Sequence, residues 1–311
     1  MGRWIFAVWG MVFCLDSDAS AVTVNAAAAL HHVDFSQVLA LPTQAPDEVI
    51  AYGPAAQQFG ELWLPNSTSK TAGPLVVLIH GGCWLNAFDI NHSRAMAMAL
   101  KQQGYAVWSL EYRRIGDVGG GWPGTFEDIA AGVDHVEQLT GRGIDTQRVV
   151  LVGHSAGGHL ALWASARPQL APEQAFYQAG SLKPLGVVGL AAIVDLAEYA
   201  AGTSSCQRAV RDLMGGTPTT VPGRYRDTSP VELSLLENTL LIQGDDDSIV
   251  SPAHAATAAT RAGIDRLAVA GAGHFDMIHP DSFAWPLIIK AIDSAFAAIP
   301  LAVQSQQDVS K

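Results

Sequence analysis

Apolar residues fall along this chain in two alternating rhythms. The runs Leu75–His80, Ala106–Leu110, Val149–Val152, Gly186–Leu190, Thr239–Ile242 and Leu267–Ala270 are short and continuously apolar, as strands buried on both faces must be. Between them, Ser93–Gln103, Thr125–Leu139, Ala156–Arg167, Pro252–Ala262 and Ser282–Ala298 carry apolar residues at helical spacing. Strands that alternate with helices imply crossover connections, so the pattern predicts an α/β fold with a mostly parallel central sheet flanked by helices. Phe59–Leu64 alternates instead and predicts an antiparallel edge strand. From Asp195 to Glu237 no strongly apolar strand occurs and Gly, Pro, Thr and Arg are frequent. That interval reads as a small cap insertion, at about 195–237, in a single domain spanning 22–311.

Composition narrows the classes of partner. With 49% hydrophobic and 15% charged residues, the chain has the make-up of a packed globular protein. Its formal charge of -11 and lack of a basic stripe argue against nucleic acid, which needs clustered Lys and Arg. A small neutral or weakly polar molecule is the expected partner. At the N-terminus, Arg3 precedes the apolar run Trp4–Leu15, which is too short for a membrane span of about 20 residues. The small residues after it give the pattern of a signal peptide over 1–21, cleaved after Ala21, so export to the periplasm or medium is expected. No other segment has the length and apolarity of a span.

The candidate chemistry sits where strands end. Gly153-His154-Ser155-Ala156-Gly157 fits G-x-S-x-G and lies between a predicted strand and a predicted helix, the setting of a nucleophile elbow. A serine hydroxyl needs a positioned base to attack at neutral pH. His274, in Gly271-Ala272-Gly273-His274-Phe275, follows the last apolar run and is the expected base; His279 lies farther along the same loop. The acid is expected after the preceding strand, where Asp245, Asp246 and Asp247 follow Gly244. Asp247 is preferred because Asp247-Ser248-Ile249-Val250 has the D-x-x-V form seen there in this fold, with Asp246 the alternative. His80-Gly81-Gly82-Cys83-Trp84 ends the first long buried run, where amides of Gly81 and Gly82 would join that of Ala156 as an oxyanion hole. Trp84, Phe88, Trp122 and Phe275 flank these motifs and are expected to wall a substrate pocket. No metal or other cofactor is called for.

His80–Trp84, Glu111-Tyr112-Arg113-Arg114, Gly120-Gly121-Trp122-Pro123 and Gly153–His159 together resemble the esterase/lipase branch of the α/β-hydrolase superfamily. The likeness is strongest to its HGGxW subgroup of kynurenine formamidase-like and feruloyl esterase-like proteins, and Gly215–Pro218 and Ser229-Pro230 are similar to that subgroup's cap. It extends over roughly residues 50–298. The resemblance implies hydrolysis of a small ester through an acyl-enzyme, without a cofactor, by Ser155, Asp247 and His274. Amide hydrolysis of the arylformamidase or peptidase kind is the first alternative, although Cys83 stands where formamidases commonly have tyrosine. A non-catalytic binding protein on the same scaffold is the second. Asp128 and Asp195 read as scaffold. Placed on that fold, Cys83 would lie beside the oxyanion loop and Cys206 in the cap above it, so a disulfide between them is expected.

Overall fold

A computed structural model describes residues 29–66 and 72–297; the expected leader, 1–21, lies outside them. One eight-stranded sheet forms the centre, with strands in the order β1-β2-β4-β3-β5-β6-β7-β8. These are β1 Glu48–Ala51, β2 Phe59–Trp63, β3 Gly73–Ile79, β4 Ala106–Leu110, β5 Ile144–His154, β6 Gly186–Leu190, β7 Thr239–Gly244 and β8 Asp265–Val269. From β4 to β8 every neighbouring pair is parallel, while β1 and β2 add antiparallel strands at one edge. The sequence pattern missed β1 because its residues are mostly exposed and carry no buried stripe.

The helices are α1 Phe35–Ala40, α2 Arg94–Gln102, α3 Gly124–Asp134, α4 Ala156–Ala166, α5 Leu196–Tyr199, α6 Ser205–Met214, α7 Pro222–Thr228, α8 Pro252–Ala262 and α9 Trp285–Ala297. Side chains alternate across a strand, so β3 feeds two cores. Leu75, Val77 and Ile79 pack with Phe126 of α3 and Leu160 of α4; Val76 and Leu78 face Met96 of α2 and Ile288 of α9. The expected helix over Thr125–Leu139 is shorter, ending at Asp134 and tightening into a 3-10 turn over His135–Leu139. Residues 195–237 hold α5, α6 and α7 rather than a strand.

Register decides what the fold can do. Ile79 is paired with Gly153, His154 with Leu190, Leu190 with Ile242, and Gly244 with Val269. With Ile79 also paired to Leu110, the carboxyl ends of β3, β4, β5, β6, β7 and β8 share one rim, and the segments leaving them carry the sequence motifs. Ligands of open parallel sheets bind beyond that rim. Among the described residues no helix is long and apolar enough to cross a membrane.

Candidate active site

Ser155 sits between β5 and α4 with φ 56° and ψ -118°, a conformation that side-chain-bearing residues rarely adopt. Neighbouring glycines make so tight a turn feasible. A Cβ on Gly153 would lie 2.2 Å from the Gly157 carbonyl oxygen, and one on Gly157 would lie 2.2 Å from that of Ile79. The turn is anchored by the Ser155 amide donating to the Leu190 carbonyl at 2.8 Å, and by the Ile193 amide donating to the Ser155 carbonyl. Strand end, turn and helix start leave the hydroxyl at the wall of a cavity of about 350 Å³.

His274 lines the same cavity. Its Nδ1 meets Asp247 Oδ2 at 2.7 Å. The carboxylate is held on all sides: Oδ1 accepts from the amides of Ile249 at 2.8 Å and Val250 at 2.9 Å, and Oδ2 also accepts from Gln243 Nε2 at 2.9 Å. Burial pushes the Asp247 carboxyl up, but the hydrogen bond and charge of His274 and the two backbone donors outweigh it and hold the group below the usual carboxylate value. An ionised Asp247 keeps the proton on Nδ1, which leaves Nε2 of His274 free to accept one. Among the described residues no hydrogen bond joins Nε2 to the Ser155 hydroxyl, although both residues line the same cavity. Asp246 is solvent-exposed 3.8 Å from His32, and Asp245 accepts from the Gly271 amide, so neither contacts His274.

Two further side chains position this pair, and the sequence reading overlooked both. Nε2 of His154 lies 3.1 Å from the His274 carbonyl oxygen, tying the residue before the serine to the backbone of the histidine loop. Burial drives the His154 imidazole well below its ordinary value, with the neighbouring His274 adding to it, so the ring is neutral and Nε2 carries the donating proton. Asp276 Oδ2 accepts from the Gly273 amide at 2.8 Å and the Val33 amide at 3.2 Å, which fixes the same loop and docks the N-terminal segment on it. Their signal in the sequence was only proximity to the serine and histidine.

The turn after β3 supplies amides. Gly82 and Cys83 line the cavity, whereas Gly81 lies behind it, where a Cβ would meet His154 and Ser155. Ala156 is fully buried at the first position of α4. The Gly82 and Cys83 amides have no protein partner among the described residues, and Ala156 opens α4, whose N-terminal dipole favours negative charge. Beneath the turn, Glu111 accepts from the amides of Ile90 and Tyr112, meets His80 Nε2 at 3.1 Å and pairs with Arg114 at 3.4 Å. Burial raises the Glu111 carboxyl, but His80 and Arg114 more than offset it and keep it charged.

Of the four expected wall residues, Phe88 and Phe275 line the cavity. Trp84 and Trp122 do not. Trp84 has φ 57°, which turns its indole into the core, fully buried and edge-on to His159 at 5.4 Å. Trp122 packs edge-on against Phe176 at 5.0 Å, under Arg224 of α7. The remaining wall comes from places without a motif: Phe35 of α1, His92, and Ser204–Cys206 at the start of α6. Phe35 lies 5.3 Å from Phe275, 5.6 Å from Phe88 and 5.7 Å from His92, ring to ring. A smaller polar recess of about 150 Å³ adjoins at Ser204, Ser248 and Ile249, and continues to Glu198, Gln207 and His254. Cys83 and Cys206 are joined by a disulfide, with Cα atoms 5.0 Å apart across 123 positions of sequence. Among the described residues no group of three or more His, Cys, Asp or Glu is arranged to hold a metal ion.

Comparisons with known proteins agree on the type of scaffold. A family model described as BD-FAE matches residues 61–261, well over half of the chain. Esterase LipC of Mycobacterium tuberculosis is 25% identical over 245 residues, covering 74% of this chain and 60% of that protein. Isoprenylcysteine alpha-carbonyl methylesterase ICME of Arabidopsis thaliana is 30% identical over 120 residues, 37% of this chain and 26% of that one. The chain thus spans about 60% of the length of LipC and much less of the methylesterase. Among solved structures, an inhibited esterase B from Lactobacillus rhamnosis superposes with a TM-score of 0.65 at 25% identity, covering 82% of this chain and 89% of that one.

Proposed function

The chain belongs to the BD-FAE family of α/β-hydrolases, and from that premise we propose that it hydrolyses carboxylic esters by way of an acyl-enzyme on Ser155. The observation that carries this reading is the convergence of Ser155, the Asp247–His274 pair and the amides of Gly82 and Cys83 on one cavity. His274 takes the proton of Ser155 as its oxygen attacks the ester carbonyl. The oxyanion draws on the amides of Gly82, Cys83 and Ala156, and the Asp247 carboxylate stabilises the imidazolium that forms. His274 then protonates the leaving alcohol, and water repeats the sequence on the acyl group. The apolar side of the cavity, with Phe35, Leu85, Phe88 and Phe275, suits the acyl part, and the polar recess beside Ser204 and Ser248 suits the alcohol.

Two measurements test the reading. A fluorophosphonate should label the wild type and not Ser155→Ala; folded wild type that stays unlabelled would point to a binding protein. In a panel of p-nitrophenyl esters, N-formyl anilides and aminoacyl anilides, the esters should turn over fastest. Amide turnover without ester turnover would replace the esterase with an amidase.

We also propose that the protein is exported. The leader pattern supports this, and so does the Cys83–Cys206 disulfide, since such bonds persist mainly in oxidising compartments. The protein recovered from the native host's periplasm or medium should begin at Val22; recovery of the uncut chain from the cytosol alone would sink the idea.

A further inference from the structure

The turn that follows β3 holds an unusual backbone. Gly82 has φ 104°, and the two residues after it, Cys83 and Trp84, have φ 54° and 57°. Glycine adopts the left-handed region freely, but residues with a Cβ are disfavoured there and persist only where their surroundings hold them. Trp84 is held by its buried indole and by its carbonyl, which accepts from the Ile115 amide at 2.8 Å. Gly82 is held by its carbonyl, which accepts from the Leu85 amide at 3.0 Å. Cys83 lies between these anchors. Among the described residues neither its amide nor its carbonyl is paired with another protein group. The restraint that acts on Cys83 itself is its bond to Cys206.

The other end of that bond is a fixed post. Cys206 lies in the first turn of α6, which is capped by Ser204 and Gln207 and buries Val210, Leu213 and Met214 in the core. The Leu213 carbonyl accepts from the Trp122 amide at 2.7 Å, and the Met214 carbonyl accepts from Arg224 at 2.6 Å. The helix is therefore anchored without help from the disulfide, whereas Cys83 itself is not.

We propose that the Cys83–Cys206 disulfide is a positioning element for oxyanion binding, holding Cys83 left-handed so that the unpaired Gly82 and Cys83 amides remain available to an oxyanion in the cavity that Ser155 lines. The proposal rests on the esterase reading and adds a role that this reading does not require. Without the bond, Cys83 relaxes toward negative φ, the peptide unit between Gly82 and Cys83 rotates, and the Cys83 amide leaves the cavity. Removal of one oxyanion donor costs about 100- to 1,000-fold in kcat, so a partly relaxed turn should cost about 10- to 100-fold.

The test compares the full-length wild type with Cys206→Ser, which leaves the turn's own sequence intact. Thiol titration of the folded wild type should find Cys83 and Cys206 unreactive. With p-nitrophenyl butyrate, kcat should fall about 10- to 100-fold while KM changes less than about twofold. The decisive readout is the oxoester to thionoester rate ratio, because amides aimed at an oxyanion stabilise sulfur poorly. That ratio should shrink in the variant, an outcome that simple loss of stability would not produce. If Cys206→Ser does not fold, the folded wild type reduced by a water-soluble phosphine supplies the same comparison; water provides the oxygen taken up by the phosphine as the two thiols form. A lower melting temperature with kcat and the ratio unchanged would overturn the proposal and leave the bond a mere staple, and reactive thiols at both positions would overturn it too. A wild type inert to every ester would instead overturn the esterase reading.

Discussion

The two sides of the cavity are built differently. Gly82, Ser155, Asp247 and His274 lie in the loops that leave β3, β5, β7 and β8, whose parallel ladder brings those loops to one rim. Phe35, Leu85, Ser204 and Ser205 come from a six-residue helix, a loop and an insertion, none of them part of the sheet. Proton transfer demands groups placed within a few tenths of an ångström, and such precision is best supplied by rigid elements. A wall that merely excludes or admits an acyl group can be made of less ordered material. Changes on the sheet side should therefore abolish rate, while changes on the opposite side should redirect it.

Asp247→Asn should have the largest effect, about ten-thousand-fold in kcat. Oδ1 accepts two backbone amides, so the amide oxygen of asparagine must stay there and its NH2 must take the place of Oδ2. That NH2 then faces Nδ1 of His274 and Nε2 of Gln243, two groups that now donate. The imidazole is forced to carry its proton on Nε2 and cannot accept one from Ser155. A loss of less than tenfold would show that Asp247 does not set the tautomer, and would remove the contrast between the two sides.

The same division governs what the sequence disclosed. Ser155, Asp247 and His274 were picked out because each follows a continuous apolar run; the runs before Ser155 and Asp247 are buried strands, whereas Leu267–Ala270, expected to be buried on both faces, falls mainly in the mostly exposed edge strand β8. Trp84 misled because a sequence does not show that its φ is positive, and that single dihedral turns the indole from the cavity into the core. Phe35 left no trace at all. It reaches the cavity through the docking of the Val33 amide on Asp276, across 243 positions of sequence, and no local rule encodes that contact. His154 lies inside the serine motif and Gln243 directly follows the apolar run Thr239–Ile242, yet their roles depend on side-chain direction, which spacing alone does not give.

Acid should weaken the fold by a smaller but substantial amount, and through both sides at once. Burial lowers His159 to about 4. It lowers His92 to about 3, with the charge of neighbouring His80 adding to the effect. Both bases are neutral in the native protein, whereas the unfolded chain protonates them near 6.5. The unfolded state therefore binds more protons below that value. The stability they contribute is complete above about pH 6.5 and is lost as pH falls toward 4 and 3, at about 1.4 kcal/mol per pH unit for each histidine. The urea midpoint should drop steeply between pH 6.5 and 4.5, and a flat profile there would mean that these rings reach solvent.

His154 tests whether the sheet side depends on more than its reacting groups. His154→Leu removes the donor to the His274 carbonyl and should lower kcat about tenfold with little change in KM, while His154→Gln, which can still donate, should recover most of it. Equal losses in both variants would mean that the ring acts by shape and not through its hydrogen bond.

Phe35→Ala should have the smallest effect on rate and the clearest effect on choice. Its ring packs against Phe88, Phe275 and His92 and makes no hydrogen bond to the reacting groups, so removing it should enlarge the acyl side and leave those groups in place. Each additional methylene that the larger cavity buries is worth about 0.8 kcal/mol, or about fourfold in kcat/KM. Across p-nitrophenyl acetate, butyrate, hexanoate and octanoate, the optimum should move to a longer chain, with acetate turnover changed less than threefold, about 0.6 kcal/mol. A uniform loss across the series would place Phe35 with the groups that do the chemistry, and the cavity could no longer be divided into a side that reacts and a side that selects.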